Sequence, residues 1–81
     1  MSNLDLLKST FADVIGISPA SDFNDLVYGN TVGWDSVAHM ALIAAIEGAF
    51  DIMLPTDDVI DMSSFSKAKE IVAKHGVSLA A

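Results

Sequence analysis

"GWDSVAHMALIAAIEGAFDIMLP", residues 33 to 55, decides how this chain folds. An aspartate and a serine stand together at the point where a glycine-bearing loop gives way to a long apolar run. Both side chains favour helix starts, because their oxygens accept from the unpaired N–H groups of a first turn. The run predicts a helix from about Ser36 to Phe50. With Asp35 as its cap, Ser36 becomes the first helical residue and its hydroxyl is left free at the positive end. Successive residues advance by about 100° around such a helix. His39, Leu42, Ile43, Ile46 and Phe50 then share one stripe suited to a core. Val37, Ala41, Ala44 and Gly48 fall nearly opposite, with Met40 at their border. A helix on the surface of a small protein is ordinarily polar on that second side. Either other helices cover both faces, or the second face is open to a partner, the usual meaning of an uncovered apolar patch.

Working outward, Leu4, Leu7, Phe11, Val14 and Ile15 keep helical spacing. Ser2 and Asp5 resemble a capping box, and Gly16 is the expected stop. "ISPASDFNDLVYGNTVG" (17–33) is rich in turn formers and reads as a long loop with a turn of helix around Phe23 to Val27. Its apolar residues predict a loop packed on the body, and loops of this length in a compact domain are often functional. On the other side, Ile52 and Leu54 are expected to be buried, and "PTDDVIDM" predicts a short helix with Thr56 as cap. Asp57 and Asp58 suit its positive first turn. A last helix is expected from Ser63 or Ser64 to Gly76, with Phe65, Ala68, Ile71, Val72 and His75 inward and Lys67, Lys69 and Lys74 outward. "VSLAA" (77–81) reads as a frayed tail. The expected fold is all-α: a small bundle of three main helices plus one short helix, with a long loop between helices 1 and 2.

Eighty-one residues make one domain, 1–81. About half are apolar, so the chain is globular. There is no cysteine, hence no disulfide, no thiolate metal site and no thiol of its own. A formal charge of −7 excludes a nucleic-acid face and disfavours anionic membrane. The N-terminus lacks the basic start and apolar core of a signal peptide, and no run is long enough to span a bilayer. A monomeric cytoplasmic protein is expected.

An anion attached to Ser36 would gain from the helix dipole and the unpaired N–H groups there. The Asp-Ser pair, the following Val37, the helix carrying Leu42, Ile43, Ile46, Glu47 and Phe50, the "FDIMLP" run and the short acidic helix after it together resemble the acyl carrier protein family. These are the phosphopantetheine-binding carriers of fatty acid, polyketide and nonribosomal peptide assembly. The likeness extends over nearly the whole chain. It implies that Ser36 receives 4'-phosphopantetheine from coenzyme A through a Mg²⁺-dependent phosphopantetheinyl transferase. Asp35 would contribute to recognition by that transferase. The protein itself would perform no bond chemistry: acyl- or aminoacyl-loading enzymes would charge the arm's thiol, and other enzymes would use the cargo. An unmodified acidic helical adaptor with the same fold is the alternative.

The sequence departs from the fatty acid carriers, which present several acidic side chains on the second helix. Here Ala38, Ala41, Ala44 and Gly48 occupy much of that surface, with Glu47 and the terminal Asp35 and Asp51 as its only charges. Val37, Met40, Ala41, Ala44 and Glu47 are the expected partner face, docking more by apolar contact than by charge and pointing to a specialised pathway. Trp34 is expected to pack against the loop. His39, one turn past Ser36, is either a half-buried histidine satisfied by a loop carbonyl or part of the entrance used by the thioester end of the arm. His39 and His75 are too isolated for a metal site, no Ser-His-Asp triad stands out, and Asp57, Asp58 and Asp61 are expected to be solvated.

Overall fold

The computed structural model describes residues 2–18 and 22–79. Four α-helices follow in order: α1 (Asn3–Ile15), α2 (Ser36–Phe50), α3 (Thr56–Asp61) and α4 (Phe65–Lys74). A 3-10 turn, Phe23–Asp25, interrupts the loop between α1 and α2. This is the expected all-α arrangement of three longer helices and one short one, and among the described residues there is no strand.

The helix ends follow their local chemistry. Ser2 caps α1 by accepting from Asp5 N, and Gly16 closes it in the left-handed region, where a glycine carries no Cβ penalty. Ser64 caps α4 by accepting from Lys67 N at 3.0 Å. The expectation for α3 is corrected: Thr56 is already helical, and Pro55 holds the cap position without a side-chain bond. Proline's fixed φ serves the junction, while its carbonyl accepts from Asp58 N and Val59 N.

The core forms where three apolar stripes meet. Leu7, Phe11 and Ile15 of α1 pack with Leu42, Ile43 and Ile46 of α2 and with Phe65, Ala68, Ile71 and Val72 of α4. Phe11 is central, edge-on to Phe65 with ring centroids 4.9 Å apart and to Trp34 at 5.4 Å. Such edge-to-face pairs add about 0.5–1.5 kcal/mol each beyond burial. The loop is packed as expected: Phe23, Leu26 and Trp34 are buried, although Val27 and Tyr28 keep much of their surface in solvent. Leu54 is buried and Ile52 half-buried in the α2–α3 connection.

The loop is also pinned by its backbone. Val27 pairs with Ser64 in an isolated antiparallel bridge, Tyr28 N donates to Ser63 O at 2.8 Å, and Phe65 N donates to Leu26 O at 3.3 Å. At its far end Gly33, φ +91°, lies so close to α1 that an added Cβ would stand 2.4 Å from Ile15 O. Only glycine fits there, and that contact fixes where Trp34, Asp35 and Ser36 begin α2. The chain after α4 is not wholly frayed. Val77 and Leu79 are half-buried against the core, and Asn3 Nδ2 donates to Ser78 O at 2.8 Å. Residues 80 and 81 lie outside the described part. No helix of the described residues is long and apolar enough to cross a membrane.

Candidate functional site

The N-terminus of α2 is built as the sequence predicts. Asp35 is extended, and its Oδ1 accepts from Ala38 N at 2.9 Å. That bond takes one of the free N–H groups of the first turn, and His39 N begins the helical ladder on Asp35 O at 2.8 Å. Ser36 is therefore not needed as a cap. Its side chain is exposed, and no described residue hydrogen-bonds its hydroxyl. The N–H groups of Ser36 and Val37 point the positive end of the helix dipole toward the same solvent. A covalently attached phosphodiester needs an accessible hydroxyl and benefits from such donors. The residues present fit that group.

One turn along α2, His39 occupies the inward side of the same helix end. Trp34 Nε1 donates to His39 Nδ1 at 3.0 Å, and His39 Nε2 lies 2.8 Å from Val59 O of α3. Indole nitrogen is a donor only, so Nδ1 must be the bare acceptor. The ring proton then sits on Nε2 and is donated to Val59 O. Trp34 is 1% exposed, and its indole lies 6.1 Å from the imidazole, near parallel to it. Tyr28 meets the same imidazole edge-on at 5.1 Å. His39 is half-buried, as expected, but the backbone carbonyl that satisfies its ring belongs to α3 and not to a loop, and the ring also borders a cavity. That cavity, about 240 Å³, is lined by Tyr28, His39, Val59, Ile60, Met62 and Ser63.

The second face of α2 is open. Val37 is 79% and Met40 59% exposed, and Ala41, Ala44 and Gly48 are exposed beside them. Among the described residues no other helix covers them, so the arrangement in which helices cover both faces of α2 is excluded. Glu47, expected on the partner face, has another task. It is half-buried, and its Oε2 accepts from Leu54 N at 2.8 Å, fastening the connection to α3. That leaves Asp35 and Asp51 at the two ends as the carboxylates near this face.

The expectation that Asp57, Asp58 and Asp61 are solvated fails at its middle member. Asp58 is 2% exposed. Its two oxygens are held by Lys74 and, at 2.7 Å, by His75 Nε2 at the end of α4. The hydrogen bonds from Lys74 and then His75 hold its carboxyl below the usual carboxylate value of 3.8, outweighing the opposing effect of burial. Consecutive residues of α3 therefore face different neighbours: the Asp58 side chain ties to α4, and the Val59 carbonyl to α2. Among the described residues no group of three or more His, Asp or Glu could hold a metal ion.

Residues 5–72 match a family model described as the phosphopantetheine attachment site. An acyl carrier protein of Guillardia theta is 25% identical over 68 residues, covering 84% of each chain. A non-reducing polyketide synthase, pigA of Monascus ruber, is 32% identical over 59 residues, which is 73% of this chain but 2% of the synthase. No solved structure matches. Carriers of this kind hold 4'-phosphopantetheine covalently, work with synthases and transferases, and do not catalyse reactions themselves. The chain belongs to this phosphopantetheine-binding acyl carrier family.

Proposed function

We propose that Ser36 carries the 4'-phosphopantetheine and that the protein delivers an acyl or aminoacyl group to the enzymes of a specialised pathway. One observation carries the assignment of Ser36: its hydroxyl is exposed and unpartnered at the start of α2, because Asp35 does the capping. When bound, the arm supplies the thiol this cysteine-free chain lacks and holds the cargo as a thioester. Tethering raises the effective concentration of the cargo at each partner's site. The chain's residues do the rest. Asp35 fixes the helix end and is available to the modifying transferase, and Val37, Met40, Ala41 and Ala44 offer an apolar face beside the attachment point.

The cavity bordered by His39 and Val59 supports a place for the cargo end of the arm. At about 240 Å³ it falls below the roughly 300 Å³ where small-molecule pockets begin, so it suits a short group rather than a long chain. Docking through Val37 and Met40 accounts for a carrier whose partner face has lost Glu47 to an internal bond, and it predicts transfer that varies little with salt. The test is intact mass after treatment with coenzyme A and a broad-specificity transferase. One phosphopantetheine should be gained, and Ser36→Ala should abolish the gain. An unchanged mass with an active transferase would leave an unmodified adaptor, and a gain that survives Ser36→Ala would move the attachment elsewhere.

A further inference from the structure

The chain has four lysines and no arginine against eleven acidic residues, so every lysine could in principle be neutralised. Two are: Lys74 pairs with Asp58, and Lys67 lies 3.7 Å from Glu70. Lys8 and Lys69 have no acidic partner among the described residues. Instead they converge on one cleft between α1, the 3-10 turn and α4, a cavity of about 290 Å³. Both are half-buried, unlike the exposed Lys67 and Lys74.

Each of these two ammonium groups stands over a phenyl ring. Lys8 Nζ is 5.9 Å from the centroid of Phe23, and Lys69 Nζ is 5.7 Å from that of Phe65. The two rings are neighbours, with centroids 5.0 Å apart. A ring face holds a cation in place by its quadrupole but takes up none of its strong N–H donors. The ammoniums are therefore positioned while their donors stay available. Asn24 adds an amide to the lining, and Asp22 is the one carboxylate there. Its Oδ1 is already engaged by Asn24 N at 3.0 Å. The rings themselves are almost wholly buried, so the cleft presents mainly polar groups to a ligand.

We propose that this cleft binds a small organic anion, with its carboxylate or phosphate received by Lys8 and Lys69 and the Asn24 amide. No described residue lines both this cleft and the cavity beside His39, so the site is separate from that cavity. In a chain of charge −7, an anion is repelled from most of the surface, and two unpaired cations gathered in one cleft offset that repulsion locally.

The test is an amide NMR titration of the full chain carrying its arm, at constant ionic strength, with inorganic phosphate and with succinate. Saturable shifts at the Lys8, Asn24 and Lys69 amides with either anion support the site, and the tighter of the two assigns the ligand's head group. Lys8→Gln and Lys69→Gln should each weaken binding by about tenfold, the loss expected for one charge-assisted hydrogen bond, while Lys67→Gln should leave it unchanged. Dispersed amide spectra of the single variants establish that they fold. Shifts that stay linear, follow all four lysines alike, or persist in both single variants overturn the proposal.

Discussion

Replacing His39 by phenylalanine isolates the bonds that join the loop, α2 and α3. Phenylalanine keeps a flat ring against Trp34 and Tyr28 but removes both nitrogens, so packing changes little and two hydrogen bonds vanish. The consequences at the two ends differ. Val59 is half-buried and its carbonyl can turn to water, so that end loses about 0.5–1.5 kcal/mol. Trp34 is 1% exposed, and its N–H has nowhere else to go. A buried donor left unpaired costs about 1–3 kcal/mol. The sum, about 1.5–4.5 kcal/mol, is a large share of the roughly 5–15 kcal/mol that holds a natural domain together. Urea unfolding followed by helical circular dichroism measures it. Trp34→Phe removes the stranded donor, so Trp34→Phe with His39→Phe should cost less than the two single changes added. A His39→Phe loss below about 0.5 kcal/mol, or strict additivity in the double variant, would refute the bonding scheme. The scheme also fixes the tautomer: nitrogen NMR of the native protein should show the proton on Nε2.

Three other outcomes are expected. Asp58 has its folded-state carboxyl value lowered, so its contribution to stability is complete above the ordinary value of 3.8 and is lost as pH falls through the lower folded value. Asp58→Asn should remove that acid-dependent part, seen as a flatter unfolding midpoint against pH between neutrality and strong acid, and Lys67→Met should not. Gly33→Ala should destabilise by at least about 2 kcal/mol, since a left-handed backbone and a clash with Ile15 O combine, and it should slow arm attachment by moving the start of α2; thermal melts and timed mass spectra check both. Gly48→Ala should stabilise by about 0.5–1 kcal/mol, because the added methyl meets nothing within 4 Å, while any loss of cargo transfer would show that partners approach the helix there.

The parts of the molecule visible in the sequence are those encoded by near neighbours. Asp35 and Ala38, Ser2 and Asp5, and Ser64 and Lys67 are each three residues apart, so every side-chain cap of a longer helix is a local pattern. The stripes of α1, α2 and α4 repeat often enough to set their inward faces, and the open face of α2 follows from the second stripe. What stayed hidden depends on distant partners. A helix of six residues has too few turns to reveal its inner side, so Asp58 looked like one solvated acid among three until Lys74 and His75, sixteen and seventeen residues on, came to meet it. Glu47 looked exposed by its place on the helix wheel, yet the chain turns back after Asp51 and brings Leu54 N within its reach. His39 falls on the inward stripe of α2 as its spacing implies, but neither the indole donor nor the α3 carbonyl could be named from spacing alone.

The short ladder formed by Leu26, Val27 and Tyr28 against Ser63, Ser64 and Phe65 has a mechanical consequence. Tyr28 and Ser63 both line the cavity beside His39, and the ladder rivets them into a single stiff edge. A guest too large for the space cannot pry that edge apart without tearing backbone pairing. The yielding side is the opposite seam, where one imidazole proton clasps the Val59 carbonyl. Swelling there would have to move α3 against two fastenings at once, the His39 clasp on α2 and the Asp58 clamp on the end of α4.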